Sequence, residues 1–284
     1  MLRDVLARAV RDWLRHYDAR LGAALAYYSV FSLGPLLLIV TAIAGLFFGE
    51  EAVRGSLTDE FRGLLGPIGS QAVEAMLKGA ASSSSGGLSA VSGIAFLLVA
   101  ALGVVVQLKD ALNTIFEVSP PDDAGLTWYA RVYAVSLTGI LALGFLLAVA
   151  LVINTALAAF ASWLGGSAGR GLLLELCNFA VSLAVLTVLF SMLFKWFPEA
   201  QLRWKAVCAG GFATALLFNL GKSAISWYIA RQGFESTYGA AASIVVLLIW
   251  VYYSSQIVLF GAELTRAFAL RQGSPPRASR GTSA

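Results

Sequence analysis

The sequence predicts an all-α, polytopic membrane protein: a six-transmembrane-helix bundle with an N-terminal interfacial helix and amphipathic helices in the first external loop. Three observations predict it. Of 284 residues, 58% are hydrophobic and only 13% charged, against about 25% charged in an average soluble domain. That leaves too few polar groups to coat a soluble fold around so much apolar surface. Six apolar stretches reach the roughly 20 residues that a helix needs to cross a bilayer. The lysines and arginines fall unevenly between them, as they do across an energised membrane.

Residues 1–20 read as a cytoplasmic amphipathic helix. Leu2, Val5, Leu6, Ala9, Val10, Trp13, Leu14 and Tyr17 recur at helical spacing, and Arg3, Asp4, Arg8, Arg11, Asp12 and Arg15 take the other face. Such a helix either lies on the inner leaflet or packs against the rest of the protein. It has no continuous apolar core and no A-x-A site, so the first span reads as a retained anchor rather than a cleaved signal.

The transmembrane domain is expected over 21–272, with spans at about 21–48, 88–107, 132–164, 172–194, 206–230 and 239–262. Between the first two, residues 49–87 form the largest connection. Val53, Leu57, Phe61, Leu64 and Ile68 step by three or four, and Val73, Met76 and Leu77 continue after Gly66-Pro67. The proline predicts two short amphipathic helices broken at that point. Ser82 to Gly87 reads as a flexible link, and residues 273–284, rich in Ser, Pro, Gly and Arg, as a disordered cytoplasmic tail.

Placing both termini, the second loop and the fourth loop on one side collects fourteen of the 20 Lys and Arg residues, against five on the other. Both termini are therefore expected in the cytoplasm and the chain in a bacterial inner membrane. The remaining basic residue, Lys222, lies inside the fifth span, about 13 Å from its outer end at about 1.5 Å per residue. A charge in hydrocarbon costs about 2.5–3.5 kcal/mol on insertion scales. Asn219, Ser223 and Ser226 share its face. Lys222 thus either lines a cavity that takes an anionic group or snorkels outward on its aliphatic stem.

Tyr28 and Ser32 lie one helical turn apart before Pro35, which frees the Phe31 carbonyl; this is a hinge beside a polar pocket or an ordinary proline kink. Asp110 and Asn113 at the inner end of the second span, and Glu263 and Arg266 at the inner end of the sixth, are candidates for an inner gate. The bland alternative is an intrahelical Glu263–Arg266 pair and solvated helix ends. Ala206/Gly210, Gly211/Ala215 and Gly22/Ala26 have the small-xxx-small spacing of close helix packing.

Enzyme chemistry finds little support. The single histidine, His16, sits in the basic N-terminal helix and reads as an inert surface residue. There is no HExxH, P-loop, GxSxG or clustered carboxylate pair. Cys177 and Cys208 lack metal-ligand spacing and read as packing or lipid-facing residues. No catalytic residue, metal site, cofactor or nucleic-acid partner is expected.

Three runs carry a family resemblance. They are Ala23-Ala24-Leu25-Ala26-Tyr27-Tyr28-Ser29-Val30-Phe31-Ser32-Leu33-Gly34-Pro35, Lys109-Asp110-Ala111-Leu112-Asn113-Thr114-Ile115-Phe116, and Ser236-Thr237-Tyr238-Gly239-Ala240 followed by Leu248-Ile249-Trp250-Val251-Tyr252 and Gly261-Ala262-Glu263-Leu264. Together they resemble the YihY/BrkB family over nearly the whole chain. The resemblance implies a six-helix inner-membrane protein, of a family formerly misnamed ribonuclease BN. The nuclease label finds no support here, because a metal-dependent nuclease needs grouped His, Asp and Glu ligands that the spacing does not supply. The resemblance carries over Tyr28, Ser32, Pro35, Asp110, Asn113, Tyr238, Gly239 and Glu263 as candidate positions.

The resulting expectation is a transporter-like protein that moves a lipid or other amphiphilic or anionic substrate through a polar cavity. Tyr28, Ser32, Pro35, Asn219, Lys222, Ser226, Tyr238 and Gly239 would line it, with membrane lipids as partners. The alternative is a non-transporting scaffold that docks an envelope protein through loop 49–87. Substrate, coupling ion, direction and oligomeric state are not specified by the sequence.

Overall fold

A computed structural model describes residues 2–82, 103–118, 168–232, 237–273 and 277–278. Helix α1 (Leu2–Arg15) is followed by α2 (Asp18–Phe48) and α3 (Glu50–Ser82). A further helix, α4, covers 103–115. Then come α5 (Ala168–Trp196), strand β1 (Ala200–Gln201), α6 (Trp204–Arg231), a 3-10 turn (Gly239–Ala241), α7 (Ala242–Arg271) and strand β2 (Arg277–Ala278). The expected spans 21–48, 172–194 and 206–230 fall within α2, α5 and α6, and the span 239–262 covers the 3-10 turn and the first two thirds of α7. The span 132–164, the span 88–107 up to residue 102, and the link 83–87 lie outside the described residues. Among the described residues, Phe179–Trp196 and Ala242–Arg271 are apolar and long enough to cross a membrane, with only 22% and 28% of their most apolar stretches buried inside the protein. Their apolar surface therefore faces outward, as lipid-facing helices require.

The helices converge at one end. The start of α2, the ends of α4, α5 and α7, and the start of α6 share one core built on Leu112, Ile115, Phe116, Phe194, Val207 and Leu259. Helices α6 and α7 approach closely through a reciprocal pair. A Cβ on Gly261 would overlap Thr214, and a Cβ on Gly210 would overlap Thr265. Each threonine hydroxyl donates to the carbonyl four residues back on its own helix, Thr214 to Gly210 at 2.7 Å and Thr265 to Gly261 at 2.8 Å. The hydroxyls are thus satisfied without widening the helix gap. The adjacent Gly211 lies against Ser191 of α5, and Gly22 against Gln256 of α7.

Three expectations change. Helix α3 runs unbroken across Pro67 rather than splitting into two. Residues on both sides of the proline, Val53 before it and Ala72 and Val73 after it, are buried. Packing on both sides holds one helix despite the lost donor. The amphipathic segment at the N-terminus ends at Arg15, and residues 18–20 open α2. The tail is not wholly unstructured, because Arg277 and Ala278 pair antiparallel with Gln201 and Ala200.

Helix α1 packs inward along one edge, with Val5 and Ala9 against Leu264 and Ala267 of α7. Leu6, Val10 and Leu14, at four-residue intervals on its other apolar edge, are exposed.

A buried ionic cluster at the helix ends

The α1–α2 junction turns at His16 and Tyr17, where Tyr17 adopts left-handed backbone angles, φ 55° and ψ 45°. The turn is closed by backbone hydrogen bonds from His16 to Asp12 (2.8 Å) and from Arg20 to Tyr17 (2.8 Å). The end of α4 has a second left-handed residue, Glu117, at φ 53°. There Val118 N–H donates to the Asn113 carbonyl (2.9 Å) and Glu117 N–H to that of Thr114 (3.1 Å). This is a Schellman cap with glutamate in the position that glycine usually takes. Left-handed backbone costs an L-residue about 1–2 kcal/mol. Among the described residues these are the two non-glycine positions with positive φ, and both adjoin the same cluster of charges. Strain of this kind concentrates where a side chain must be held in place.

The cluster joins α1, the head of α2, the end of α4 and the last turns of α7. His16 Nδ1 lies 2.6 Å from Glu263 Oε1. Arg266 donates through Nη1 to Asp12 at 2.8 Å and through Nη2 to Glu117 at 2.5 Å. Arg15 pairs with Glu117 and lies 3.6 Å from Asp12. Glu263 and Asp18 are fully buried, whereas Arg15 and Glu117 are about half exposed. The outer pairs are therefore screened, and the inner ones lie in low dielectric.

Burial, and then the Asp12 charge, push the Asp18 carboxyl up to about 7. Burial, then Arg15 and Arg266, hold the His16 imidazole below its ordinary value, so it is neutral. Burial opposes ionisation of Glu117, but Arg266 and Arg15 outweigh it and hold this carboxyl below the usual range.

This arrangement differs from the sequence reading at several points. His16 is an inward-facing member of the cluster rather than an inert surface residue, because the left-handed Tyr17 swings the chain back over α7. One His, one Asp and one Glu come together here, His16, Asp18 and Glu263, a grouping that their spacing in the sequence does not supply. Arg266 reaches across to Asp12 and Glu117 instead of pairing along its own helix with Glu263. Of the four inner-gate candidates, Glu263 and Arg266 enter the cluster. Asn113 is buried beside it and accepts the Glu199 N–H at 2.9 Å. Next to it Lys109 Nζ pairs with Glu199 at 2.8 Å. Asp110 is exposed and feels the charges of that Lys109–Glu199 pair. Asp12, Asp18 and Glu117 were missed. The signal for Asp18 was its place two residues after the single histidine; for Glu117, a charged residue directly after an apolar helix end.

The cavity candidates are dispersed. Ser32 is buried and donates to the Tyr28 carbonyl at 2.6 Å. The Tyr28 ring is partly exposed and lies over Gly103. Pro35 falls within the continuous α2. Asn219 donates to the Ala215 carbonyl at 3.1 Å and accepts from Ser182 of α5 at 3.3 Å. Lys222 and Ser226 follow it on α6, both half-buried, and Tyr238 and Gly239 are exposed before α7. The hydrogen bonds of Ser32 and Asn219 satisfy them within the bundle.

An all-helical membrane protein with charges buried at one end of its helices is the class that these features define. Comparison with known proteins agrees. The family described as virulence factor BrkB matches residues 9–283. The chain is similar to a UPF0761 membrane protein of Pseudoalteromonas translucida, 31% identical over 242 residues, covering 85% of this chain and 78% of the relative. It is also similar to one of Pseudomonas paraeruginosa (31% identity, 85% of this chain, 57% of the relative) and one of Stenotrophomonas maltophilia (30%, 90% and 59%). The chain thus spans under two thirds of the length of these last two relatives. No solved structure matches it. The chain belongs to the BrkB family of membrane proteins.

Proposed function

We propose that the protein is a transporter-like protein of the bacterial inner membrane that moves a lipid or another amphiphilic, anionic substrate. In this reading the ionic cluster is its cytoplasmic gate. The observation that carries the reading is that Arg266 of α7 ties Asp12 of α1 to Glu117 of α4. Three segments far apart in sequence are latched by a few charge-assisted hydrogen bonds at the end of apolar helices. Charges in such places mark pathways and gates in membrane proteins. A latch of this kind has two discrete arrangements, bonded and released, as a gate requires.

Lys222, with Asn219 and Ser226 on the same helix face, supplies a counter-charge for an anionic headgroup. The exposed Leu6, Val10 and Leu14 edge of α1 suits a helix seated in the cytoplasmic headgroup layer.

The scaffold reading is less well supported. Val53 and Val73 of α3 are buried on the bundle, so part of the apolar face expected to dock a partner is already occupied.

Reconstitution into liposomes tests the proposal. Protein-dependent movement of fluorescent anionic phospholipid between leaflets is expected, reduced at least tenfold in Lys222→Ala and altered in Glu117→Gln. Movement equal to protein-free liposomes, for lipids and for anionic solutes alike, overturns it.

A further inference from the structure

The inner half of the cluster is not explained by latching. Asp18 Oδ1, Asp18 Oδ2 and Glu263 Oε2 are buried without a hydrogen-bond partner. Among the described residues these are the buried carboxylate oxygens so placed. A proton shared between two of these oxygens still leaves the third without a partner. One ring nitrogen of His16 and one carboxylate oxygen each from Asp18 and Glu263 all lie within 4.8 Å of one another. Gln256 adds a buried, unpartnered Oε1, and its Nε2 reaches the Asp18 carbonyl at 3.3 Å.

The arginines serve the other side of the cluster: Arg266 and Arg15 reach Asp12 and Glu117, and among the described residues no guanidinium donates to Asp18 or Glu263.

We propose that His16, Asp18 and Glu263 form a binding site for one divalent transition-metal ion, with Zn2+ as its probe. Imidazole together with carboxylates suits zinc, iron or manganese better than the all-oxygen sites of calcium. Two carboxylates neutralise a dication, which a buried site needs. The neutral imidazole is the form that ligates, and Nδ1 is the nitrogen turned toward Glu263. Ligation through Nδ1 uses the tautomer whose single ring proton is on Nε2, which faces Glu117 Oε1 at 3.5 Å and has Arg15 Nη2 beside it at 3.2 Å. A carboxylate facing the far nitrogen of a ligating histidine is the usual outer support of such sites. The left-handed Tyr17 then has a purpose. It brings His16 and Asp18, on either side of the turn, to the same point on α7. The site stands whether or not the protein transports anything.

The test uses the full chain in detergent, freed of any histidine tag, stripped with chelator and dialysed against micromolar free Zn2+. About one ion per chain is expected by mass spectrometry, together with a raised thermal midpoint. Co2+ in place of Zn2+ should give d–d absorption of nitrogen and oxygen ligation. Asp18→Asn and His16→Ala should each weaken binding at least tenfold. Lys109→Ala, outside the site, should bind as wild type. Should Asp18→Asn fail to fold, His16→Gln carries the comparison. Folded wild-type protein that retains no ion, or equal binding by wild type and the His16 variants, overturns the proposal.

Discussion

His16 Nδ1 stands 2.6 Å from Glu263 Oε1, joining residues 247 apart in the chain. Around that contact the first helix, the head of the second, the end of α4 and the last turns of α7 become one unit. Its outer shell is a set of ion pairs on Arg266, and its inner shell is a group of buried oxygens. The two shells respond differently to substitution.

Arg266 is the keystone of the outer shell. Its side chain is 7% exposed and serves two carboxylates, of which Asp12 is mostly buried and Glu117 half exposed. Removing one partner of a buried pair costs about 3–5 kcal/mol because the other charge is stranded. Solvent around Glu117 lowers that figure, so Arg266→Ala is expected to lose about 2–3 kcal/mol. Glu117→Gln, at the exposed side, is expected to lose under about 1 kcal/mol. Chemical unfolding in detergent reads both. Equal losses would mean that the cluster is not organised around Arg266.

The backbone at Glu117 allows a separate measurement. At φ 53° a glycine is relaxed where alanine is strained. Glu117→Gly and Glu117→Ala lose the same carboxylate, so their difference isolates the backbone. Glu117→Gly is expected to be more stable than Glu117→Ala by about 1 kcal/mol. The reverse order would show that the left-handed cap is not populated in solution.

How much of this was legible in the sequence divides by the range of the interaction. The helices α2, α5, α6 and α7 follow from long apolar runs, a signal local to each segment. The Gly210 packing was also legible, because small residues four apart mark close helix contact. Its partner Thr265 was not, since nothing in one helix names the face of another. The cluster was half legible. Glu263 and Arg266 stood out as charges at the end of an apolar run. His16, Asp12 and Asp18 looked like part of a solvated basic helix. Their burial depends on the turn at Tyr17, and no glycine or proline announces it. Pro67 misled in the opposite direction, because packing on both sides of it outweighs one missing hydrogen bond.

Asn113 decides whether a candidate gate residue is structural. Its Oδ1 accepts the Glu199 N–H at 2.9 Å in a buried setting. Asn113→Ala is expected to cost about 1–3 kcal/mol by orphaning that donor. Asn113→Asp keeps an acceptor in place and should recover much of the loss in thermal unfolding. A gating role alone would instead leave stability unchanged in both variants and move only transport.

The α6–α7 seam gives the sharpest packing test. A methyl group on Gly261 has no room, because the Thr214 side chain occupies the space. Overpacking of this kind typically costs about 1–3 kcal/mol, and Gly261→Ala is expected in that range. Adding Thr214→Ala should return part of it, since the Thr214 Oγ1 and Cγ2 atoms make two of the close contacts while its Cβ remains. At Gly210 the obstruction includes the Thr265 Cα as well as its side chain. Thr265→Ala should therefore rescue Gly210→Ala less completely than Thr214→Ala rescues Gly261→Ala. The two double-mutant cycles, read by unfolding in detergent, discriminate side-chain crowding from backbone crowding. Because Gly261 lies two residues before Glu263, a shift of α7 at the seam also moves that carboxylate relative to His16. Gly261→Ala is thus expected to weaken the contacts of the cluster, an effect that the Thr214→Ala background should reverse in step with stability.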